Sequence, residues 1–504
     1  MTERRHTVRI ATGNRTIVSV DNYGIAENEI TFLFGESGIG KSMISKALYG
    51  LLDPGELSID IDGRPYLDHL HDAHTRAVIQ SSFFVFQEPS SHLNSLMKIS
   101  EQLAEGSLRD SPDEQAILRR LWQSTDDAAI RRVTEIFPKP YRPSGGEKQR
   151  VLLAMAFKKI DRILRTAAPE TPTFFVFDEP TGSLDDNYRN VFLSFLFEKY
   201  LQRPFTIQII THDYSIISEV YRKYGDLKQK IHFKELSRTG SASVVLEDFS
   251  AEQYLSWLGT TRDASSSVKD PGKPVLLLDP SVTVFGRNLR ICADAGRTKL
   301  RPLSAERGEM VYLKAASGVG KTTIAKVVLG LYRAQKLSMT LSGMSFTEAT
   351  SADVWLKKVW GRTAGMVFQH ADESLNLQST VRETFAGLPT KERLTGDALT
   401  TRLSSLFEGE ITERFLGKKV AYLSGGQKQR LNLLRTLVLD TDLIILDEPL
   451  NGLDFLSIKK VLDMLEQKRR AGAALFMISH NEEIFDSLVG KDHVYYLGEA
   501  THPA

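Results

Sequence analysis

The chain has 504 residues, 41% apolar and 25% charged, enough to build two or more domain cores without metals or disulfides. Its 64 basic and 63 acidic side chains leave a formal charge of +1, so no global field draws in nucleic acid. The lone Cys292 excludes an intramolecular disulfide, a cysteine-rich zinc site and a four-thiolate cluster. The charged amino terminus has no apolar stretch behind it, and no segment reaches the roughly 18 apolar residues of a bilayer span, so a cytosolic chain held at any membrane by partners is expected.

In chain order, the apolar run Ile30 to Phe34 predicts a strand, and Lys41 to Leu51 predicts the helix after it. Between them lies Gly35-Glu36-Ser37-Gly38-Ile39-Gly40-Lys41-Ser42. Glycines let backbone N–H groups converge on phosphate oxygens, Lys41 reaches the β and γ phosphates, and the Ser42 hydroxyl suits Mg²⁺. The helix start adds its positive end. Gln87 follows Phe86, and Ser144-Gly145-Gly146-Glu147 opens an apolar helix with a serine cap and two glycines that admit an anion. Phe174 to Phe177 is a buried strand ending in Asp178 and Glu179. The aspartate would orient the metal, and the glutamate is the general-base candidate. His212 ends the strand Gln208 to Thr211, placed to contact the γ phosphate. Residues 221 to 258 read as a small extension of this half, with alternation at Ser243 to Leu246 and an aromatic amphipathic segment from Phe249. Gly259 to Pro274 has the composition of an exposed linker.

The second half, 275 to 504, repeats these features in the same order. The strand Met310 to Leu313 leads into Ala315-Ala316-Ser317-Gly318-Val319-Gly320-Lys321-Thr322-Thr323, and a helix from Lys321 to Leu331 follows. Ala315 stands where the pattern asks for glycine. Gln369 answers Gln87, Ser424-Gly425-Gly426-Gln427 answers the first serine-glycine-glycine, Asp447 and Glu448 end Leu443 to Leu446, and His480 follows Ser479. Short apolar runs alternating with helical patterns imply an α/β fold with a parallel sheet in each half.

Two ordered copies of this set resemble the ATP-binding cassette (ABC) superfamily over nearly the whole chain. The resemblance implies two P-loop NTPase cassettes, each a mainly parallel sheet with helices, an antiparallel β subdomain and a helical lobe. It also implies ATP and Mg²⁺ as cofactors and places Gln87 and Gln369 in Q-loops that serve catalysis and the metal site. Ser183-Leu184-Asp185 and Gly452-Leu453-Asp454 become D-loops. The halves are then expected to pair head to tail, each ATP lying between the loop of one half and the serine-glycine-glycine of the other. That crossing puts both departures, the Ala315 loop and the signature Pro143-Ser144-Gly145-Gly146-Glu147, on one nucleotide, so the second site is expected to turn over more slowly. For adenine stacking, Phe285 is the candidate in the second half, and the matching region near Ala11 and Thr12 has no aromatic.

Leu93-Asn94 and Leu375-Asn376, just after the Q-loops, resemble the import ATPases for oligopeptides, dipeptides and nickel. That resemblance implies two integral membrane permease subunits, an extracytoplasmic substrate-binding protein, and docking surfaces near 88 to 105 and 370 to 387. It places the protein at the cytoplasmic face of the inner membrane. The alternative is a soluble translation factor with two cassettes, but the long charged helical linker of that kind is missing.

Overall fold

The computed structural model describes residues 3–94, 96–105, 108–109, 113–135, 143–166, 168, 170–181, 186–240, 242–263, 274–316, 318–390, 394–407 and 411–500. The chain divides into two compact units, Met1–Ala251 and Glu252–Ala504.

The strands of the first unit are β1 (Glu3–Thr12), β2 (Arg15–Ala26), β3 (Ile30–Gly35), β4 (Ser58–Ile61), β5 (Arg64–Pro65), β6 (Phe84–Val85), β7 (Phe175–Asp178), β8 (Ile207–Ile210), β9 (Ile231–Arg238) and β10 (Ser243–Asp248). They form one sheet in the order β5-β4-β1-β2-β10-β9-β3-β8-β7-β6. β3 runs parallel to β8 and β9, and the parallel core continues through β7 and β6. Every residue of β3, β7 and β8 is buried, as befits strands covered on both faces. β1, β2, β4 and β5 continue the same sheet as antiparallel pairs.

The region read as a small extension is integral to this sheet. β9 lies beside β3, and β10 joins β9 to β2. The helix that follows, Ala251–Asp263, falls almost wholly in the second unit, so the appendage divides between the two.

The second unit has two sheets. Its strands are β11 (Leu276–Leu278), β12 (Ser281–Val284), β13 (Arg287–Cys292), β14 (Leu303–Ala305), β15 (Met310–Lys314), β16 (Ser338–Leu341), β17 (Met344–Thr347), β18 (Ala364–Val367), β19 (Leu443–Asp447), β20 (Ala474–Ile478) and β21 (Val494–Glu499). Seven form the sheet β12-β13-β21-β15-β20-β19-β18, parallel from β21 through β18. The other four form an antiparallel sheet, β14-β11-β16-β17. The expected fold class is thus present in both units. All the strands of the first unit lie in one sheet, whereas in the second β12 and β13 join the main sheet antiparallel and four more strands form a sheet of their own.

Both loop helices are shorter than their apolar patterns. Lys41–Tyr49 stops at Gly50, whose left-handed φ of 90° turns its N–H back onto the carbonyls of Lys46 and Ala47. Lys321–Val328 ends just before Gly330, where an added Cβ would run into the Trp355 ring. Short helices, Ile99–Leu103, Glu114–Trp122 and Asp127–Thr134, precede the long helix Gly145–Thr166 in the first unit. Gly396–Ser404 and Glu413–Leu416 precede Gly425–Leu437 in the second. Among the described residues, no helix is long and apolar enough to cross a membrane.

Candidate active site

Each phosphate loop is a tight turn at the carboxyl end of a buried central strand. In the first, Gly35, Gly38 and Gly40 have φ of 135°, 78° and 119°. A Cβ on Gly35 would lie 2.6 Å from the Leu236 carbonyl oxygen of β9, and one on Gly40 would lie 2.8 Å from Val18 Cγ2, so only glycine fits. Lys41 Nζ donates to the carbonyls of Gly35 (2.5 Å) and Glu36 (3.0 Å). Burial lowers its pKa, against the opposing charges of Glu179 and Asp178. A buried relay then ties the loop helix to the sheet. Tyr23 donates to Gln208 Oε1 (3.0 Å), Gln208 Nε2 to Ser45 Oγ (2.5 Å), and Ser45 to the Lys41 carbonyl (2.9 Å).

The second loop keeps Gly318 and Gly320 at φ of 79° and 121°. Lys321 Nζ donates to the Ala315 carbonyl at 2.6 Å. Ala315 is not among the described residues with positive φ, so this loop leaves its strand by a different backbone path from Gly35. Arg287 Nη2 donates to the Val319 carbonyl at 3.2 Å and pairs with Glu499. Ser317 lies outside the described residues. Gly35→Ala is therefore expected to destabilise the protein by about 1–3 kcal/mol, and Ala315→Gly by less than about 1 kcal/mol, read by urea denaturation. Equal effects would show that the two loops begin alike.

β7 and β19 deliver the acidic pairs. The Ser42 hydroxyl bonds Asp178 and the Thr322 hydroxyl bonds Asp447, while burial pushes the Asp178 carboxyl up to about 6 and Asp447 upward as well. Asp178 Oδ1 and Asp447 Oδ2 are buried without a hydrogen-bond partner among the described residues. Each loop thus has a hydroxyl beside a carboxylate with one uncommitted oxygen, the hard-oxygen donor set a small divalent cation takes alongside phosphate.

Glu179 and Glu448 sit at φ of 46° and 49°, a left-handed conformation uncommon for a residue with a Cβ. Each is pinned by its N–H, to Ile210 O at 2.9 Å and to Ile478 O at 2.8 Å. Their side chains differ. Glu179 Oε1 is 2.8 Å from His212 Nδ1, and the carboxylate charge raises the imidazole pKa. Glu448 Oε2 instead accepts from Ser479 Oγ and the His480 N–H, both at 3.0 Å, and the imidazole Nε2 stands 3.6 Å from Oε1. Burial pushes Glu448 up to about 7.

Gln87 follows β6 and is exposed, and Gln369 follows β18 and is half-buried. The signature serines are helix caps. Ser424 Oγ accepts from Gln427 N–H (3.2 Å) while Gln427 Oε1 accepts from Ser424 N–H (3.1 Å). Glu147 plays the same part toward Ser144, its Oε2 accepting the Ser144 N–H at 2.7 Å and the hydroxyl at 3.0 Å. A carboxylate caps as well as an amide does, but it leaves negative charge where an anion would dock.

Sequence reasoning missed the work of the lysine and arginine that follow. Lys148 donates to Ser90 (2.8 Å) and Lys428 pairs with Asp372 (2.9 Å), so each signature helix grips the turn after its own Q-loop. Arg430 pairs with Asp454 of the D-loop at 2.6 Å, and Asp454 caps the helix Phe455–Arg470. The recurrence of Lys-Gln-Arg in both halves was the available signal. Ser183, Leu184 and Asp185 lie outside the described residues. Phe285 is 66% exposed at the tip of the β12–β13 hairpin, 5.1 Å from the Tyr332 ring, whereas Ala11 and Thr12 end β1 without an aromatic. A cavity of about 540 Å³ in the first unit, lined by His6, His69 and His74 among others, includes none of the loop, acidic-pair or switch residues.

The sequence model of the family described as ABC transporter matches residues 19–182 and 301–451. Among curated proteins, a peptidoglycan transport ATP-binding protein, YejF of Agrobacterium fabrum, is 28% identical over 94% of this chain and 87% of its own length. A glutathione import ATP-binding protein, GsiA of Escherichia coli K12, is 24% identical over 95% and 81%. Among solved structures, the archaeal ribosome recycling factor aABCE1, in complex with a ribosomal stalk protein, aligns with a TM-score of 0.61. It covers 95% of this chain and 87% of its own at 16% identity, a likeness of fold. Two family matches, each holding its own phosphate loop and acidic pair, make the chain a member of the ABC transporter family, a nucleotide-binding ATPase with two cassettes in one polypeptide.

Proposed function

We propose that the chain is the ATP-hydrolysing subunit of an importer, working at the cytoplasmic face of the inner membrane with two integral permease subunits and an extracytoplasmic substrate-binding protein. The observation that carries this reading is full-length similarity to proteins named for peptidoglycan transport and glutathione import. Both names point to cargo with peptide character. A peptide is therefore favoured over nickel, with a metal chelated by a peptide-like carrier between them.

The residues after the Q-loops support it. Leu93 and Leu375 are buried, and each following asparagine closes a turn with its side chain. Asn94 Oδ1 accepts from Leu96 N–H (2.9 Å) and Asn376 Oδ1 from Gln378 N–H (3.0 Å). The first turn presents Leu96, 77% exposed, in the region assigned to permease docking.

In the reaction, the cassettes pair head to tail, and the serine and glycines of one half cap the γ phosphate held by the other. Lys41 and Lys321 hold the β and γ phosphates, Glu179 and Glu448 take a proton from the attacking water, and His212 and His480 steady them. Ser42 with Asp178 and Thr322 with Asp447 would hold Mg²⁺, with Gln87 and Gln369 beside it; the ion would neutralise phosphate charge. ATP binding closes the pair, and hydrolysis lets it reopen.

Reconstitution with the neighbouring membrane and binding proteins tests the reading, using a panel of short peptides, nickel and peptide-chelated nickel. Cargo is expected to stimulate ATPase activity in the assembled complex. Leu96→Asp is expected to remove about tenfold of that stimulation and leave the isolated chain's basal rate unchanged. Co-sedimentation with ribosomes and no response to any permease would sink the importer reading.

A further inference from the structure

Immediately after His212 the first unit holds a closed knot of polar groups. Asp213 Oδ2 accepts from Arg189 Nη1 at 2.6 Å, while its Oδ1 accepts from the Ser215 N–H at 3.0 Å and the Ser215 hydroxyl at 2.5 Å. Ser215 Oγ in turn accepts from Arg189 Nη1 at 2.5 Å. The Asp213 N–H donates to Thr211 Oγ1 at 3.1 Å, so the chain is tied down on both sides of His212. Burial would push the Asp213 carboxyl up, but the Arg189 charge and the Ser215 hydrogen bonds hold it below the usual carboxylate range, and the pair stays charged at neutral pH.

Asp213 and Ser215 are local to the switch, whereas Arg189 reaches it from the first turn of the helix Asp186–Gln202, which follows the first D-loop in sequence. Arg189 is buried. Taking a guanidinium out of water offsets most of what its attraction to a carboxylate gains, so what such a pair supplies here is a fixed geometry. The geometry beside it is that of His212, whose Nδ1 lies 2.8 Å from Glu179 Oε1. The second unit provides the comparison. Four residues past its D-loop aspartate, where the first unit has Arg189, stands Ile458, and Asn481 takes the place of Asp213. The backbone turn is kept, since the Asn481 N–H donates to Ser479 Oγ at 3.0 Å. The ion pair is not, and there the imidazole Nε2 stands 3.6 Å from its glutamate.

We propose that Arg189 is a positioning residue for ATP hydrolysis in the first cassette: by clamping Asp213 and Ser215 it fixes the turn beyond His212 and keeps the imidazole against Glu179. It acts through Asp213 and not on the reacting atoms. Because the guanidinium belongs to the first turn of its helix, a displacement of that helix start draws on Asp213 and so on the His212–Glu179 contact. The proposal rests on the reading of Glu179 as general base with His212 as its partner.

Arg189→Met in the full chain is expected to lower kcat for ATP about tenfold with KM for ATP unchanged, because the phosphate loop is left as it was. Arg189→Lys, which keeps a cation within reach of Asp213, is expected to recover most of that rate. Asp213→Asn is expected to lose as much as Arg189→Met, and the double variant no more than either, as for two groups that act as one unit. Asp213→Asn nearly preserves shape, so it decides the matter if Arg189→Met does not fold. Native kcat in Asp213→Asn, additive losses in the double variant, or a raised KM with kcat intact overturns the clamp, as does a lowered melting temperature with kcat per folded molecule intact. Glu179→Gln, assayed alongside, separates the clamp from the reading beneath it. A native rate in Glu179→Gln overturns Glu179 as the base, whereas a slowed rate there beside a native rate in Asp213→Asn overturns the clamp alone.

Discussion

Glu179→Gln is expected to slow ATP turnover by about a hundredfold or more, and Glu448→Gln by no more than a few fold. In the head-to-tail pairing proposed above, the first nucleotide would meet the complete glycine loop, the contacting Glu179–His212 pair, 2.8 Å apart, and the neutral cap of Gln427. The second would meet the Ala315 loop and a signature whose cap is the Glu147 carboxylate, a negative charge that would oppose the incoming phosphate. Its base is also poorly prepared. With its carboxyl pushed up to about 7, Glu448 is protonated in a large fraction of molecules near neutrality and then cannot accept a proton from water. The activity that survives in Glu179→Gln should accordingly rise as pH increases through about 7. Steady-state ATPase assays of both variants across pH decide the matter. Equal losses would remove the asymmetry, as would a residual rate that ignores pH.

Glu448→Gln is also expected to stabilise the nucleotide-free protein at about pH 8 by up to about 3 kcal/mol, with little change at about pH 5. Burial raises the folded-state pKa of Glu448 from 4.5 to about 7. Between those values the folded chain keeps a proton that the unfolded chain releases, so stability falls as pH rises across the window. Above the window a buried charge is carried in full, with Oε1 lacking a hydrogen-bond partner among the described residues. Glutamine presents the same shape and keeps an acceptor for Ser479 and the His480 N–H without that charge. Thermal melts at the two pH values check this, and a gain of equal size at both would rule out burial of charge as the cause.

The catalytic residues were legible because they sit at fixed offsets from local signals: glycines at a strand end, two acids after an apolar run, a histidine after another. The parallel strands were legible for the same reason, since β7 and β19 are uniformly apolar up to their acids. What stayed hidden depends on partners distant in sequence. The alternation in β10 looks the same at an edge as in the interior, and only its pairing with β2 and β9 places it inside. The connecting helix reads as amphipathic, but no local feature says that Phe455, some two hundred residues on, is what it covers. The different seats of Glu179 and Glu448 were equally out of reach, because Thr211 and Ser479 look interchangeable on paper. In the structure both oxygens accept the N–H two residues on, from Asp213 and from Asn481, and the serine hydroxyl in addition donates to Glu448.

The left-handed backbone at Glu179 and Glu448 bears on how such proteins age. Asparagine and glycine tolerate that conformation better than glutamate does. Where an organism ceases to need cleavage at one centre, random substitution there meets less resistance from folding than elsewhere in the sheet. An asparagine or glycine at either position would ease the backbone while removing the proton acceptor.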